Sequence, residues 1–282
     1  MSFQTLISVE TLAPHLGDPE WVVVDCRFSL EDAEQGRRAF LEGHVAGAVY
    51  AHLRDDLASP VIPGKTGRHP LPEVEFFARR LSAWGIDEAT QVVAYDDAGG
   101  AIAARLWWML RWMGHTSVAV LDGGWLLWQR KGRPVRSGEE RRPPRTFRAR
   151  HRADLVVQAA EVQARRDDPG WRLVDSRVPE RYRGEVEPID PVAGHIPGAT
   201  NMPHTAVGGP DGMFLSPEKL REHFAGLLGN VAPERTVFYC GSGVTAARNL
   251  LAYAHAGLGD ARLYAGSWSE WIVDPARPVA KG

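Results

Sequence analysis

Cys240 opens a glycine-rich loop, Cys240-Gly-Ser-Gly-Val-Thr245, whose composition could support nucleophilic chemistry. The preceding run Val237 to Tyr239 is apolar and β-prone, which predicts a buried strand, and the Ala-, Arg- and Leu-rich stretch after Thr245 favours a helix. A strand that enters a helix through such a loop directs several backbone N–H groups toward one point, above the helix N-terminus. These dipoles favour a thiolate over a thiol, so we predict that Cys240 is a reactive nucleophile.

The residues around Cys240 fit this interpretation, but a second one stays open. Gly241 and Gly243 allow unusual backbone dihedral angles and close approach of a ligand. The alternative is a cysteine that is simply buried at a strand end, as free cysteines often are. Cys26 also follows a predicted strand but lacks a glycine-rich loop, so we assign it to packing.

Composition narrows the class of protein. The chain has 282 residues and a formal net charge of −2, which gives no reason to expect nucleic acid or an anionic membrane as a partner. It has only two cysteines, far apart and without a Cys-x-x-Cys pair, so we predict no disulfide framework, no metal site and no cofactor. We recognise no secretory signal and no apolar run long enough to cross a bilayer, and we expect a cytoplasmic protein.

The sequence contains the same pattern twice, which indicates duplication of one unit. Each copy begins with an apolar run that ends in an Asp-x-Arg motif, and each continues with a Gly-His-x-x-Gly-Ala segment. Later in each copy come a second apolar run, an Ala-Ala-Arg triplet and a segment with two tryptophans. The paired segments are Trp21–Arg27 with Arg172–Arg177, Gly43–Ala48 with Gly194–Ala199, Val93–Asp96 with Val237–Cys240, Ala103–Arg105 with Ala246–Arg248, and Leu121–Trp128 with Tyr264–Trp271.

Within each copy, predicted strands alternate with predicted helices. In the first copy we predict helices over Pro72–Trp84 and Ala101–Met113 and a strand over Val118–Leu121. Such alternation predicts an α/β fold with two tandem domains, each a mostly parallel central sheet flanked by helices. Active sites of these sheets lie at the carboxyl ends of strands, where Cys240 and its counterpart Asp96 are expected. We place the domains at residues 1–138 and 153–282, joined by a linker over residues 139–152 that is rich in Arg and Pro.

These motifs resemble the tandem-domain rhodanese-type sulfurtransferases over nearly the whole chain. The resemblance implies two rhodanese-like domains, of which the first, with Asp96 in place of the cysteine, is non-catalytic. The loop from Cys240 to Thr245 is similar to that of the 3-mercaptopyruvate sulfurtransferase branch, because the Arg and Lys that typically follow the cysteine in the thiosulfate branch are absent.

The same resemblance implies roles for particular residues. Arg181 matches the family's substrate-clamping arginine, and a planar guanidinium suits bidentate contact with a carboxylate. Ile189 lies where the 3-mercaptopyruvate branch often has a second arginine, and Arg183 is a candidate to compensate. The loop residues Gly241, Gly243, Val244 and Thr245 complete the expected substrate-binding set.

The resemblance also implies a proton relay. His44 matches a histidine that is proposed to pair with the loop serine, here Ser242, and with an aspartate, whose matching place is closest to Gln35, with Asp32 nearby. His44 would accept the serine proton, and Ser242 would then help to protonate the product. The alternative for His44 and its repeat counterpart His195 is a shared packing or hydrogen-bonding role.

The function predicted from these features is transfer of sulfur from 3-mercaptopyruvate, through a persulfide on Cys240, to a thiol such as thioredoxin or to cyanide. Thiosulfate as the donor is the first alternative. A phosphatase is the second, although its loop requires an arginine six residues after the cysteine, where Ala246 lies. A non-catalytic binding module is the third.

Overall fold

The computed structural model describes residues 2–282 and divides into two compact units. The amino-terminal unit contains the chain up to Ser59, then Pro72–Arg152 and Pro210–Phe214. The carboxyl-terminal unit contains Pro60–Leu71, Ala153–Gly209 and Leu215–Gly282. The domain boundaries derived from the sequence place residues 60–71 in the first domain and residues 210–214 in the second. In the structure, residues 60–71 belong to the carboxyl-terminal unit and residues 210–214 to the amino-terminal unit.

The amino-terminal unit is built on a five-stranded sheet of order β1-β6-β5-β2-β4, in which all neighbours are parallel. A two-stranded antiparallel ladder, β3-β7, lies beside it in this unit. Its strands are β1 (Leu6–Ile7), β2 (Trp21–Asp25), β3 (His44–Val45), β4 (Val49–Tyr50), β5 (Gln91–Tyr95), β6 (Val118–Leu121) and β7 (Val135–Arg136). Its helices are α1 (Val9–Leu12), α2 (Gln35–Glu42), α3 (Val74–Ala83), α4 (Ala103–Trp112) and α5 (Gly124–Arg130).

The carboxyl-terminal unit repeats this architecture. Its parallel sheet has the order β10-β9-β11-β12-β8. Its strands are β8 (Val156–Val157), β9 (Arg172–Asp175), β10 (Thr200–Asn201), β11 (Thr236–Tyr239) and β12 (Arg262–Tyr264). Its helices are α6 (Ala159–Arg165), α7 (Pro179–Arg183), α8 (Pro217–Leu228), α9 (Ala246–His255) and α10 (Ser267–Trp271). Read from β8, the strand order matches that of the first unit read from β1, and the predicted fold class is confirmed.

The repeated Asp-x-Arg motif has a structural role that is the same in both units. Arg177 donates to both carboxylate oxygens of Asp175 and to the carbonyl of Gly194, and its guanidinium lies 4.8 Å from the ring centre of Trp268. In the first unit Arg27 makes the equivalent contacts with Asp25, Gly43 and Trp125. Because each pair is buried with its hydrogen bonds satisfied, it ties a strand end to the Gly-His segment and to the last helix.

The segment over residues 139–152 forms no helix or strand and lies along the amino-terminal unit. The Arg145 backbone N–H donates to Ser82 O, and those of Arg150 and Arg152 donate to the carbonyls of Met113 and Trp112. No helix among residues 2–282 is long and apolar enough to cross a membrane.

Candidate active site

Cys240 directly follows β11, the central strand of the second sheet, and its loop leads into α9. Burial works against ionisation of the Cys240 thiol, but the Thr245 hydroxyl and the backbone N–H groups of Ser242, Ala246 and Gly243 lower its pKa. The result is a pKa below the ordinary value of a thiol. Cys240 is 2% exposed, so these donors act with little competition from water.

The backbone of the Cys240 loop is held by the first residues of α10. The Cys240 N–H donates to Ser267 Oγ at 3.1 Å, and the Trp268 and Ser269 N–H groups donate to the carbonyls of Cys240 and Gly241. Ser267 is the one non-glycine residue with a positive φ in residues 2–282, at 56°. Strain of this kind persists only where surrounding contacts hold it, and here it directs a hydroxyl at the nucleophile's own backbone.

Gly243 is required by its backbone conformation and by a close backbone contact, whereas Gly241 lies beside two arginine side chains. Gly243 has φ 74°, and a Cβ there would lie 2.3 Å from the carbonyl oxygen of Ala265. A Cβ on Gly241 would lie 2.8 Å from Nη2 of Arg68 and 3.6 Å from both Nη atoms of Arg181. Two guanidinium groups therefore lie beside the residue that follows Cys240.

Ser242 has a histidine partner, but it is His69 and not the predicted His44. The Ser242 Oγ lies 2.8 Å from Nδ1 of His69, and both side chains are buried in the carboxyl-terminal unit. The predicted pairing of His44 with Ser242 is therefore corrected. Asp32, the aspartate near the place where the relay carboxylate would align, is exposed and pairs with Arg38.

His44 instead performs a role that the repeat duplicates. Its Nδ1 lies 2.7 Å from the Phe40 carbonyl oxygen and its ring stacks on Phe40 at 4.1 Å. His195 does the same with Tyr182, at 2.8 Å to the carbonyl oxygen and 3.8 Å between rings. Both histidines link the segment after a helix to that helix, which is the shared hydrogen-bonding role left open by the sequence.

Arg181, on α7, belongs to a network of ion pairs in which arginines and carboxylates alternate. Glu187 accepts from Nε and Nη2 of Arg181, and Asp190 accepts from the same Nη2 at 3.0 Å. Glu187 also pairs with Arg177, and Asp190 also pairs with Arg68. This network of ion pairs consists of three carboxylates and three arginines, in the order Asp175, Arg177, Glu187, Arg181, Asp190 and Arg68.

Arg183 and Ile189 contribute little to this arrangement. The Arg183 guanidinium pairs with Glu185 and its side chain is 40% exposed. Ile189 is 44% exposed, and its backbone N–H donates to Glu187. The structure therefore brings Arg181, rather than Arg183, to Gly241.

Arg68 and His69 are the residues that sequence reasoning missed. They lie in Pro60–Leu71, which forms no helix or strand but belongs to the carboxyl-terminal unit. The Arg68 N–H donates to Ser269 Oγ at 3.1 Å, and a Cβ on Gly67 would lie 2.6 Å from the Gly266 carbonyl oxygen. The only sequence feature that could have indicated them is the run Gly67-Arg68-His69-Pro70. This run has no counterpart in the second copy of the repeat.

In the equivalent loop of the amino-terminal unit, the N–H groups donate to a carboxylate side chain, that of Asp96. The Asp96 carboxylate accepts four hydrogen bonds, from the N–H groups of Ala98, Gly100, Ile102 and Ala103, at 2.7 to 2.9 Å. This loop therefore has the same preference for negative charge, and its own side chain satisfies that preference.

A cysteine thiol of lowered pKa lies in a cradle of N–H groups after the central strand of one of two repeated α/β units. The family model for the rhodanese-like domain matches residues 8–131 and 158–274, and the chain belongs to this family. It is 50% identical to the probable 3-mercaptopyruvate sulfurtransferase of Pseudomonas aeruginosa, with 100% of both chains covered. It is 40% identical to the putative thiosulfate sulfurtransferase SseB of Mycobacterium tuberculosis, over 99% of this chain and 98% of that protein.

A solved structure agrees with these relatives. SseA from Escherichia coli, described as a 3-mercaptopyruvate sulfotransferase, superposes with a TM-score of 0.82 at 31% identity, covering 95% of this chain and 100% of SseA.

Proposed function

We propose that the protein transfers the sulfur of 3-mercaptopyruvate, through a persulfide on Cys240, to a thiol acceptor or to cyanide. The observation that carries the proposal is the thiol of lowered pKa in an N–H cradle, next to a hydroxyl-histidine pair and two arginines. The 50%-identical relative named for this activity supports the choice of donor.

The first half-reaction balances without an added oxidant. The Cys240 thiolate attacks the donor sulfur, an S–S bond forms, and the C–S bond breaks with its electron pair moving to the carbon. The resulting enolate of pyruvate takes up one proton, and ionisation of the persulfide S–H releases one. Ser242 and His69, 2.8 Å apart, are positioned to move this proton.

In the second half-reaction the terminal sulfur moves to an acceptor. A thiol attacks it and leaves as a persulfide, or cyanide attacks it and leaves as thiocyanate, and in both cases Cys240 returns as a thiolate. The N–H groups that lower the pKa of Cys240 can hold the persulfide anion as well, because both states carry the same charge in the same loop. A small thiol protein such as thioredoxin, in a reducing cytoplasm, is the acceptor we propose.

Intact-mass measurement after mixing with 3-mercaptopyruvate tests the proposal. We expect one added sulfur on the wild type and none on Cys240→Ser, with one pyruvate released per adduct. The absence of an adduct with 3-mercaptopyruvate, thiosulfate and inorganic polysulfide would exclude a sulfurtransferase.

Thiosulfate remains a second candidate donor because Arg68 and Arg181 both lie beside Gly241, where they could bind a dianion. The name of the Mycobacterium tuberculosis relative also favours it. Comparison of kcat/KM for the two donors decides between them, and a strong preference for thiosulfate would overturn our assignment.

A further inference from the structure

Ser267 holds a backbone conformation for which the first unit uses a glycine. The two tryptophan segments align Ser267 with Gly124, and these residues have φ values of 56° and 51°. Glycine adopts this left-handed conformation freely, whereas a residue with a Cβ is strained in it because the Cβ approaches the following carbonyl oxygen. The second unit therefore keeps a strained serine at a position where the same turn accepts glycine.

One backbone contact is the same in both turns. The Trp268 N–H donates to the Cys240 carbonyl at 3.0 Å, and the Trp125 N–H donates to the Asp96 carbonyl at 2.8 Å. In the first unit a Cβ on Gly124 would lie 2.3 Å from the Asp96 carbonyl oxygen, which leaves no room for a side chain. The turn of the second unit is more open at this point, because it encloses a serine side chain that is fully buried.

The hydroxyl group of Ser267 is what this side chain adds to the turn. Its oxygen accepts the Cys240 N–H at 3.1 Å and its hydrogen is donated to the Tyr264 carbonyl oxygen at 2.9 Å. The hydroxyl group thus bonds twice to the backbone and fixes the peptide plane between Tyr239 and Cys240. Because Cys240 is buried, its N–H would have no water to replace this acceptor if the serine were removed.

We propose that Ser267 is a positioning residue for sulfur transfer, and that it holds the Cys240 backbone so that the sulfur stays beside the loop N–H groups. The assignment rests on the proposed function, because the reaction that it serves is attack by the Cys240 sulfur. The N–H groups that stabilise the thiolate belong to residues 242–246, whereas the sulfur is carried by Cys240 itself. Ser267 fixes the position of the sulfur relative to these donors, although its own backbone is strained.

Two substitutions separate the effect of the hydroxyl group from that of the strain. Ser267→Ala removes the hydroxyl group and keeps a Cβ in the left-handed conformation, whereas Ser267→Gly removes the hydroxyl group and relieves the strain. At saturating 3-mercaptopyruvate, the rate of pyruvate release should fall about tenfold or more in both variants, because small misplacement of a reacting atom slows the reaction. The melting temperature of Ser267→Gly should exceed that of Ser267→Ala.

The pH dependence of Cys240 alkylation is a measurement that a purely structural role would not change. Without the Ser267 hydroxyl group, the sulfur of Cys240 is held less firmly beside the N–H groups that lower its pKa. The pKa of the thiol should therefore rise. Alkylation by iodoacetamide should titrate at a higher pH in Ser267→Ala and in Ser267→Gly than in the wild type.

Ser216→Ala is the matched control. Ser216 is also a serine whose Oγ accepts a backbone N–H, that of Lys219 at 3.5 Å, but it lies at the surface at the start of α8. Loss of this helix cap should lower the melting temperature. The rate of pyruvate release and the alkylation midpoint should equal those of the wild type.

The two variants of Ser267 give results that distinguish the possibilities. A wild-type rate in Ser267→Gly would show that the hydroxyl group is not needed and would overturn the proposal. An unchanged alkylation midpoint in Ser267→Gly would overturn it as well, even if the rate falls. Ser267→Gly is sufficient for both tests if Ser267→Ala does not fold. A wild type that forms no persulfide with any sulfur donor would instead refute the proposed function, and the alkylation midpoints would still test the hold of Ser267 on Cys240.

Discussion

Asp96 occupies in the first unit the position that Cys240 occupies in the second, directly after the central strand of a parallel sheet. One side chain is a carboxylate that accepts four backbone N–H groups, and the other is a thiol whose pKa such groups lower. The duplicated loop therefore favours a negative charge in both copies, with a carboxylate in the first copy and a thiol in the second.

Asp96→Asn should destabilise the amino-terminal unit. The amide offers one acceptor oxygen instead of two and turns an N–H group toward other N–H groups, which should lower the free energy of unfolding by about 2 kcal/mol or more. Urea denaturation followed by circular dichroism measures this. Asp97→Asn, at an exposed position in the same loop, is the matched control, and equal midpoints for the two variants would contradict the prediction.

Reactivity of Cys240 should persist below the pH at which ordinary thiols become inert. Because the folded environment lowers its pKa, the thiolate remains as pH falls toward neutrality, and alkylation by iodoacetamide should titrate with a midpoint below the usual value of about 8.5. Thr245→Val removes a hydroxyl donor and should move this midpoint to higher pH. Thr245→Ser keeps the hydroxyl and should not, so a shift in both variants would assign the effect to packing.

His69 should contribute to turnover, and His195 to stability. Loss of a proton-transfer group typically costs about 10²- to 10⁴-fold, so His69→Gln should lower kcat strongly, change KM little and flatten one limb of the kcat–pH profile. His195→Gln removes a hydrogen bond to the Tyr182 carbonyl and a stacked ring, and it should lower the melting temperature. A larger kcat loss in His195→Gln than in His69→Gln would refute the assignment.

Gly67→Ala should displace the backbone of residues 60–71 relative to the loop that begins at Cys240. A Cβ there would lie 2.6 Å from the Gly266 carbonyl oxygen and 2.7 Å from Ser269 Oγ, so the backbone that presents Arg68 and His69 must move. We expect kcat/KM for the sulfur donor to fall at least tenfold, since misplacement of about 1 Å can cost 10²-fold.

A second glycine provides the control for Gly67→Ala. Gly226 lies in α8, where a Cβ would have no neighbouring atom within 4 Å, and Gly226→Ala should raise stability by up to about 1 kcal/mol without affecting turnover. Turnover by Gly67→Ala equal to that of Gly226→Ala would show that the segment tolerates displacement.

The sequence predicted the elements that follow local rules. The strand Val118–Leu121 has the predicted bounds, and the apolar runs that lead into the two Asp-x-Arg motifs form the strands Trp21–Asp25 and Arg172–Asp175, because short apolar runs between turns are a clear strand signal. The helices predicted over Pro72–Trp84 and Ala101–Met113 are α3 and α4, each shorter by two residues at its start and by one at its end. Frayed ends of this size are the least predictable part of a helix.

The candidate site was less predictable, because the residues that the sequence analysis did not identify follow no local sequence pattern. His69 and Ser242 are 173 residues apart in sequence and meet through side chains alone. Arg68 lies in a segment without helix or strand, so neither periodicity nor the repeat indicates it. The resemblance drew attention to His44 for the relay, whereas the repeat of its segment at His195 indicated the shared hydrogen-bonding role that the structure shows.

The assignment of residues 60–71 to the second compact unit bears on how this duplication can have evolved. A gene fragment that encodes only residues 153–282 would retain the cysteine and its cradle but would lose the arginine and the histidine beside them. Such a fragment would therefore lack the histidine that lies 2.8 Å from Ser242 and one of the two guanidinium groups beside Gly241. A site that draws two of its side chains from a distant part of the sequence is therefore not contained in either sequence repeat alone.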